Sequence, residues 1–211
     1  MWALVESGNV TQVYTRPTSL TIGEVNYPSN IFMLWTSSEL EAIGIYEIVI
    51  NDTNFKNKKY YINTNQTFTF QSSVTINLID YTNVVVASYS TATALPLDDV
   101  LFTAQNETDG LGTEGEIKQY GLKPQHKAII NQQAGGLLQD TDWMVVRAAE
   151  GGTAVPSDIT TWRAAVRTKA NAMQVQIGNA ANVDALAALY VYNDDEPPVR
   201  PLGEFPNVPS S

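Results

Sequence analysis

His126 is the only histidine and cysteine is absent, which excludes disulfides, thiolate or His-rich metal centres and a cysteine nucleophile. His126 lies next to Pro124 in a helix start, and no Gly-x-Ser-x-Gly elbow exists. Given the demanding geometry of a Ser-His-Asp triad, it reads as a surface or partner-facing residue rather than a catalytic one. Glu107, Asp109, Glu114 and Glu116 could ligate calcium in principle, but their spacing does not match a twelve-residue calcium loop, so a solvated acidic linker is preferred. Gly110-Leu-Gly112 lacks the Lys-Ser/Thr and the strand-to-helix frame of a phosphate loop and reads as a flexible turn. The pairs Asp98-Asp99 and Asp194-Asp195 raise a polysaccharide-cleaving glycosidase. Adjacent loop residues, however, do not place two carboxylates across a substrate cleft. No enzyme activity, cofactor or metal is expected.

What remains is recognition chemistry. Arg163 and Arg167 stand one helical turn apart, and a planar fork repeated on one face can pair with Asp142 or Glu150 inside the domain or with acidic groups on another protein. Both readings stay open. Arg147 with Glu150 fits an i,i+3 surface pair. Trp143 and Trp162 lie on apolar stripes, where helix-packing core competes with partner contact; Trp2 and Trp35 likewise read as core or interface anchors rather than sugar platforms. The candidate partner-binding set is Trp143, Trp162, Arg163, Arg167 and Phe205.

The elements that position these residues follow from composition and period. The apolar fraction of 44% is ordinary, but only 16% is charged, and Asn, Thr, Ser and Gln fill the deficit. Such a polar, uncharged surface suits β-rich structure and proteins embedded in assemblies. With 22 acidic against 12 basic residues the net charge is −10, which disfavours nucleic acid; Lys56, Lys58 and Lys59 read as a solvated loop. No apolar run approaches a membrane span, and Met1 to Val5 is cut short by Glu6 without a basic preface, so neither membrane insertion nor a secretion signal is expected.

The fold class expected is α+β. Residues 1–105 read as an antiparallel β-rich docking module. A hairpin joins Trp2–Glu6 to Val10–Tyr14 across Ser7-Gly8-Asn9. An extended segment opens at Tyr27-Pro28, Thr36 to Glu39 has capping-box spacing for a short helix ending at Gly44, and a strand follows over residues 44–50. Further strands are expected over 59–62, 67–70, 74–79 and 84–89, with Phe68 and Phe70 on one face. Asp80 to Asn83 supplies turn residues. The links look too short for crossovers, which favours antiparallel pairing.

Residues 106–123 read as a Gly-rich hinge and 124–192 as a helical module. A helix from Pro124 is weakened at Gly135-Gly136, and Thr141-Asp142 can cap a further stretch to Gly151-Gly152. Ser157 or Asp158 caps the longest helix, whose stripe is Ile159, Trp162, Val166, Ala170, Met173 and Ile177; Asn182 caps the last. Residues 193–211 form a Pro-rich arm that needs something to lie on, expected to be another subunit or the β-module.

Leu137, Leu138, Thr141, Asp142 and Trp143, followed by Pro156, Trp162, Arg163 and Arg167, resemble the Leu-Leu-x-x-Thr-Asp-Trp … aromatic-Arg-x-x-(Leu/Val)-Arg signature of tailed-bacteriophage tail assembly chaperone domains, small domains encoded beside or within tail-fibre proteins. The resemblance spans residues 137–192. A second one, less specific, links Tyr27-Pro28, Ile31, Leu34-Trp35 and Leu40 to Tyr46 to the amino-terminal module of marine phage proteins of this type. Together they imply a non-enzymatic tail protein made in the host cytoplasm and retained in the virion tail. Its partners would be other tail or tail-fibre subunits, or further copies of itself, without nucleic acid or membrane. The alternatives are a transient assembly chaperone absent from the virion, and a receptor- or glycan-binding β-module with Tyr60, Tyr61, Tyr81 or Tyr89 exposed in a groove.

Overall fold

Period-2 patterning dominates the first half of the chain, and in the computed structural model, which describes residues 1–209, it produces a five-stranded mixed sheet. Strands β1 (Trp2–Glu6) and β2 (Asn9–Tyr14) form the expected hairpin. Ser7 and Gly8 turn it with φ of 51° and 79°, the left-handed pair that matches strand twist. A small hairpin, β3 (Leu20–Ile22) with β4 (Val25–Tyr27), precedes the short helices α1 (Ile31–Leu34) and α2 (Ser37–Ala42). Thr36 and Glu39 close the capping box reciprocally. Gly44 follows at φ +83°, and a Cβ there would stand 3.0 Å from the Val5 carbonyl oxygen, so the turn into β5 (Ile45–Asn51) requires glycine.

After β6 (Tyr61–Ile62) come the ten-residue strands β7 (Thr67–Ile76) and β8 (Ile79–Ser88), and the sheet order is β2-β1-β5-β8-β7. Alternate side chains serve two faces. Leu4 and Ile45 join Tyr14, Leu20, Ile31, Phe32 and Leu40 in a core under the helices. Ala3, Ile48, Val85 and Ala87 pack with Tyr46, Phe68 and Phe70 on the other side.

Two expectations for this region are corrected. The sheet is not wholly antiparallel: β5 and β8 run parallel, Ile48 opposite Val85 and Ile50 opposite Ala87. Each single link is short, but the segment between β5 and β8 contains β7 and a long loop, ample for a crossover. Residues 74–79 are not one strand either, because the chain reverses at Asn77 and Leu78, with φ of 51° and 66°. The alternation of Val74, Ile76 and Leu78 runs on through the turn and hides it. Residues 80–83, read as a turn, belong to β8.

The chain divides into two units at Thr93/Ala94, within the two-residue strand β9 (Thr93–Ala94), rather than at residue 105. Nor is 106–123 a linker. Strand β10 (Val100–Leu101) pairs with β11 (Ile117–Gln119), and helix α3 (Ala104–Thr108) lies between them with its own capping box from Thr103 and Asn106. The Asp99 carboxylate accepts the Gly121 N–H at 2.7 Å, and a Cβ on Gly121 would collide with the Asp98 backbone, so this corner closes tightly onto the next helix.

Helix α4 (Leu122–Ala149) runs unbroken for 28 residues, α5 (Ser157–Gly178) for 22, and α6 (Val183–Ala188) is capped by the Asn182 side chain as expected. The α+β class is thus shown. The weakness expected at Gly135-Gly136 does not interrupt the helix, the cap at Thr141-Asp142 is absent, and α4 rather than α5 is the longest helix. Helix propensity penalises each glycine by up to about 1 kcal/mol, less than the packing of α4 on α5 supplies. Ser157 is the first residue of α5 and makes no cap; Pro156 occupies the cap position. Among the described residues no helix is long and apolar enough to cross a membrane.

Candidate functional site: the α4–α5 seam and its exposed face

The stripe of α5 places Trp162, Val166, Ala170, Met173 and Ile177 in the interior, the last four at 5% exposure or less. Arg163, one position round from Trp162, emerges at the edge of the seam, and there the even choice left by sequence resolves toward the interior of the unit. Its guanidinium donates to the Leu138 carbonyl at 2.9 Å, to the Thr141 hydroxyl oxygen and to the Asp142 carboxylate at 2.7 Å. Thr141 is buried and donates its own hydroxyl to the Leu138 carbonyl, so a helix-interior threonine that would otherwise compete with the backbone is part of a clasp. Three acceptors on one turn of α4 take one planar fork from α5. Leu138, Thr141, Asp142 and Arg163 of the signature are therefore brought together.

Trp162 is 4% exposed, and its indole N–H donates to the Pro206 carbonyl at 3.0 Å. This contact corrects the expectation that the arm leans on another subunit or on the β-module: it lies on α5 of its own unit. Pro201 accepts from the Gln176 side chain at 3.1 Å, Gly203 passes within reach of Lys169, and Pro206 meets Trp162, so the arm runs back along the helix toward its start. Leu202 is fully buried, and its N–H donates to the Leu189 carbonyl at 3.0 Å. A buried indole must find an acceptor, and a proline-rich segment, with few N–H groups of its own to satisfy, offers carbonyls freely. Arg200 bridges to Glu204 at 2.7 Å and lies over Tyr192, whose hydroxyl donates to the Glu204 carboxylate at 2.6 Å. That bond raises the Tyr192 pKa above the usual phenol value. Phe205 is half-buried within the arm. The last two positions of the arm, Ser210 and Ser211, fall outside the described residues.

The rest of the candidate set points outward. Trp143 is 55% exposed, with the Arg147 guanidinium stacked 4.8 Å from its ring centre. Val145 and Val146 beside it are 41% and 55% exposed. The expected Arg147–Glu150 pair is therefore replaced by a cation–π contact. Arg147 Nε is buried and has no hydrogen-bond partner, and the Gly152 backbone packs against its side chain. Arg167 is exposed, with no hydrogen bond or ion pair among the described residues.

His126 is 3% exposed, not a surface residue; its Nδ1 lies 2.6 Å from the Tyr190 hydroxyl, joining α4 to the end of α6. Its burial was missed because a lone histidine two residues after a proline carries no period. Among the described residues no three or more His, Asp or Glu side chains gather as a metal-binding group. Tyr60 is buried, and Tyr61, Tyr81 and Tyr89 are half-buried, Tyr89 against Phe55 at 4.9 Å. Comparison of the chain with protein-family models, with curated proteins and with solved structures finds no match.

Proposed function

We propose that this is a non-enzymatic tail protein of a tailed bacteriophage, whose second unit binds another tail or tail-fibre subunit through the Trp143–Arg147 face of α4. The observation that carries the reading is the division of labour within the signature-like stretch. Arg163, Thr141 and Trp162 spend their polar groups inside the unit, whereas Trp143, Val146 and Arg147 present an aromatic, aliphatic and cationic surface to solvent. Tryptophan and arginine are the residue types most enriched where protein interfaces concentrate their energy.

Retention in the virion is part of the proposal, with the transient chaperone as its alternative. Mass spectrometry of purified particles of the encoding phage separates them: this chain among the particle proteins supports retention, and its absence leaves the chaperone. Co-expression of the full chain with the neighbouring tail-fibre proteins tests the surface. Trp143→Ala should abolish co-purification while leaving thermal stability within about 0.5 kcal/mol of wild type, as for a surface substitution. Unchanged co-purification would remove the α4 face from the reading. The glycan-binding alternative has no observation in its favour, since its tyrosines are buried or half-buried.

A further inference from the structure

Trp162, Lys169 and Gln176 recur on α5 at intervals of two helical turns, so the three side chains share one face, and each carries an N–H donor. The carboxy-terminal arm crosses that face in the opposite direction. The Gln176 amide donates to the Pro201 carbonyl at 3.1 Å, Lys169 lies beside Gly203, and the Trp162 indole donates to the Pro206 carbonyl at 3.0 Å. The arm is held as a bound peptide is held. Pro201 and Leu202 form a turn, closed by the Gly203 N–H on the Arg200 carbonyl at 2.9 Å, and Gly203 takes a φ of 73°, which favours glycine. Residues 204–209 then join no helix or strand, and such backbone leaves its carbonyls to be read by outside donors. Over residues 200–209 only Leu202 is buried, so a single apolar side chain anchors the segment.

Three features allow this seat to empty. Residues 191–199, which lead from α6 to the arm, are exposed throughout. The bonds that fix the arm's root converge on Glu204, whose side chain is 56% exposed, and ion pairs of that kind contribute little net stability. An open cavity of about 450 Å³, lined by Val191, Tyr192, Val199 and Pro201 among others, lies at the same root, so lifting the arm there sacrifices little packing.

We propose that this face of α5 is a peptide-binding groove for a Pro-Leu-Gly-x-x-Pro segment of another protein, and that the chain's own arm closes it as a strap in the free state. The leucine takes the seat of Leu202, the glycine makes the turn, and the second proline gives its carbonyl to the Trp162 indole. A second copy of this chain is the poorer occupant. Its arm already sits on its own α5, and exchange between copies remakes the same contacts without the effective concentration of the closed chain. The inference does not depend on the tail-assembly reading or on the α4 face.

The probe is a fluorescein-labelled peptide with the sequence of residues 199–208, titrated with the full chain and read by anisotropy. Wild type, closed by its strap, should bind it weakly. Leu202→Ser, which loosens the strap, should bind it at least about tenfold more tightly, because the open state is then more populated. Adding Trp162→Phe, which keeps a ring but removes the N–H, should cancel most of that increase. Binding no tighter in Leu202→Ser than in wild type, with an unchanged circular dichroism spectrum, overturns the proposal. Hydrogen exchange on wild type tests it without any substitution. The Leu202 amide, bonded to the Leu189 carbonyl, should exchange at least about tenfold faster than those of Val166 and Ala170 inside α5. Equal rates would mean that the arm opens only when the whole unit does, and overturn the strap. In sedimentation velocity, a wild-type dimer that is lost in Leu202→Ser would give the groove to the arm of a second copy and overturn the foreign partner.

Discussion

Arg163 and Asp142 form an ion pair, yet the pair's worth is lopsided. The Asp142 side chain is 57% exposed and the Arg163 side chain 11%. Asp142→Asn should therefore cost less than about 1 kcal/mol, as exposed pairs do. Arg163→Gln should cost about 2 kcal/mol, since it removes a charged donor from the Leu138 carbonyl and the buried Thr141 hydroxyl. Urea denaturation of the two variants measures both. Sequence alone identified both members of this pair but left open whether Arg163 faced inward, because one turn of helix offers the fork to either side. In the first unit, the Thr36 N–H, and then its hydroxyl, hold the Glu39 carboxyl below the usual carboxylate range. A lowered folded value means that this carboxylate stabilises α2 above the unfolded pKa, and that the contribution is lost as pH falls through the folded one. An NMR titration should find Glu39 below ordinary glutamate, and Thr36→Ala should move it upward. A titration unaltered by that change would contradict the assigned cause.

At the scale of elements, α4 departs most from its sequence signal. Gly135 and Gly136 are exposed, neither has a left-handed φ, and a Cβ on either meets nothing within 4 Å. They serve no close approach. Gly135→Ala and Gly136→Ala should each stabilise the second unit by about 0.5–1 kcal/mol in thermal denaturation, by restricting the unfolded chain and improving helix propensity. Local propensity thus misreads the helix for a reason: its continuity comes from the seam with α5, which lies outside any window of neighbouring residues. Capping signals fared better where side chain and backbone are the whole interaction. The Thr36/Glu39 box and the Asn182 cap are visible in sequence for that reason, whereas the Thr103/Asn106 box was hidden because the acidic, Gly-rich composition around it reads as loop. The arm was legible as extended and in need of a support, but α5 as that support was not, since the indole that receives Pro206 is 44 residues away. Leu202, fully buried where the arm meets α6, should cost about 2–4 kcal/mol on replacement by alanine.

For the molecule as a whole, two units with separate cores predict separable folding. Expressed alone, residues 1–93 and 94–211 should each give a cooperative unfolding transition, read by circular dichroism against temperature. A fragment without one would show that its unit depends on the other. The sequence indicated a β-rich first half and a helical second half, as the change of period makes plain. It misplaced the border because the short strand β10 lies past it and resembles the first half locally, while the acidic, Gly-rich stretch between β10 and β11 reads as a linker. The parallel pairing of β5 with β8 also bears on time. The β7–β8 hairpin closes through neighbouring residues, but Ile48 meets Val85 only after the intervening loop and β7 have been gathered in. Loop-closure entropy must be met before that ladder returns anything, so the hairpin should form in microseconds and wait for β5. During that interval β7 and β8 stand as a two-stranded ribbon with both edges open, and the slowest step of the first unit is also the one in which a nascent chain is most exposed to pairing with its neighbours.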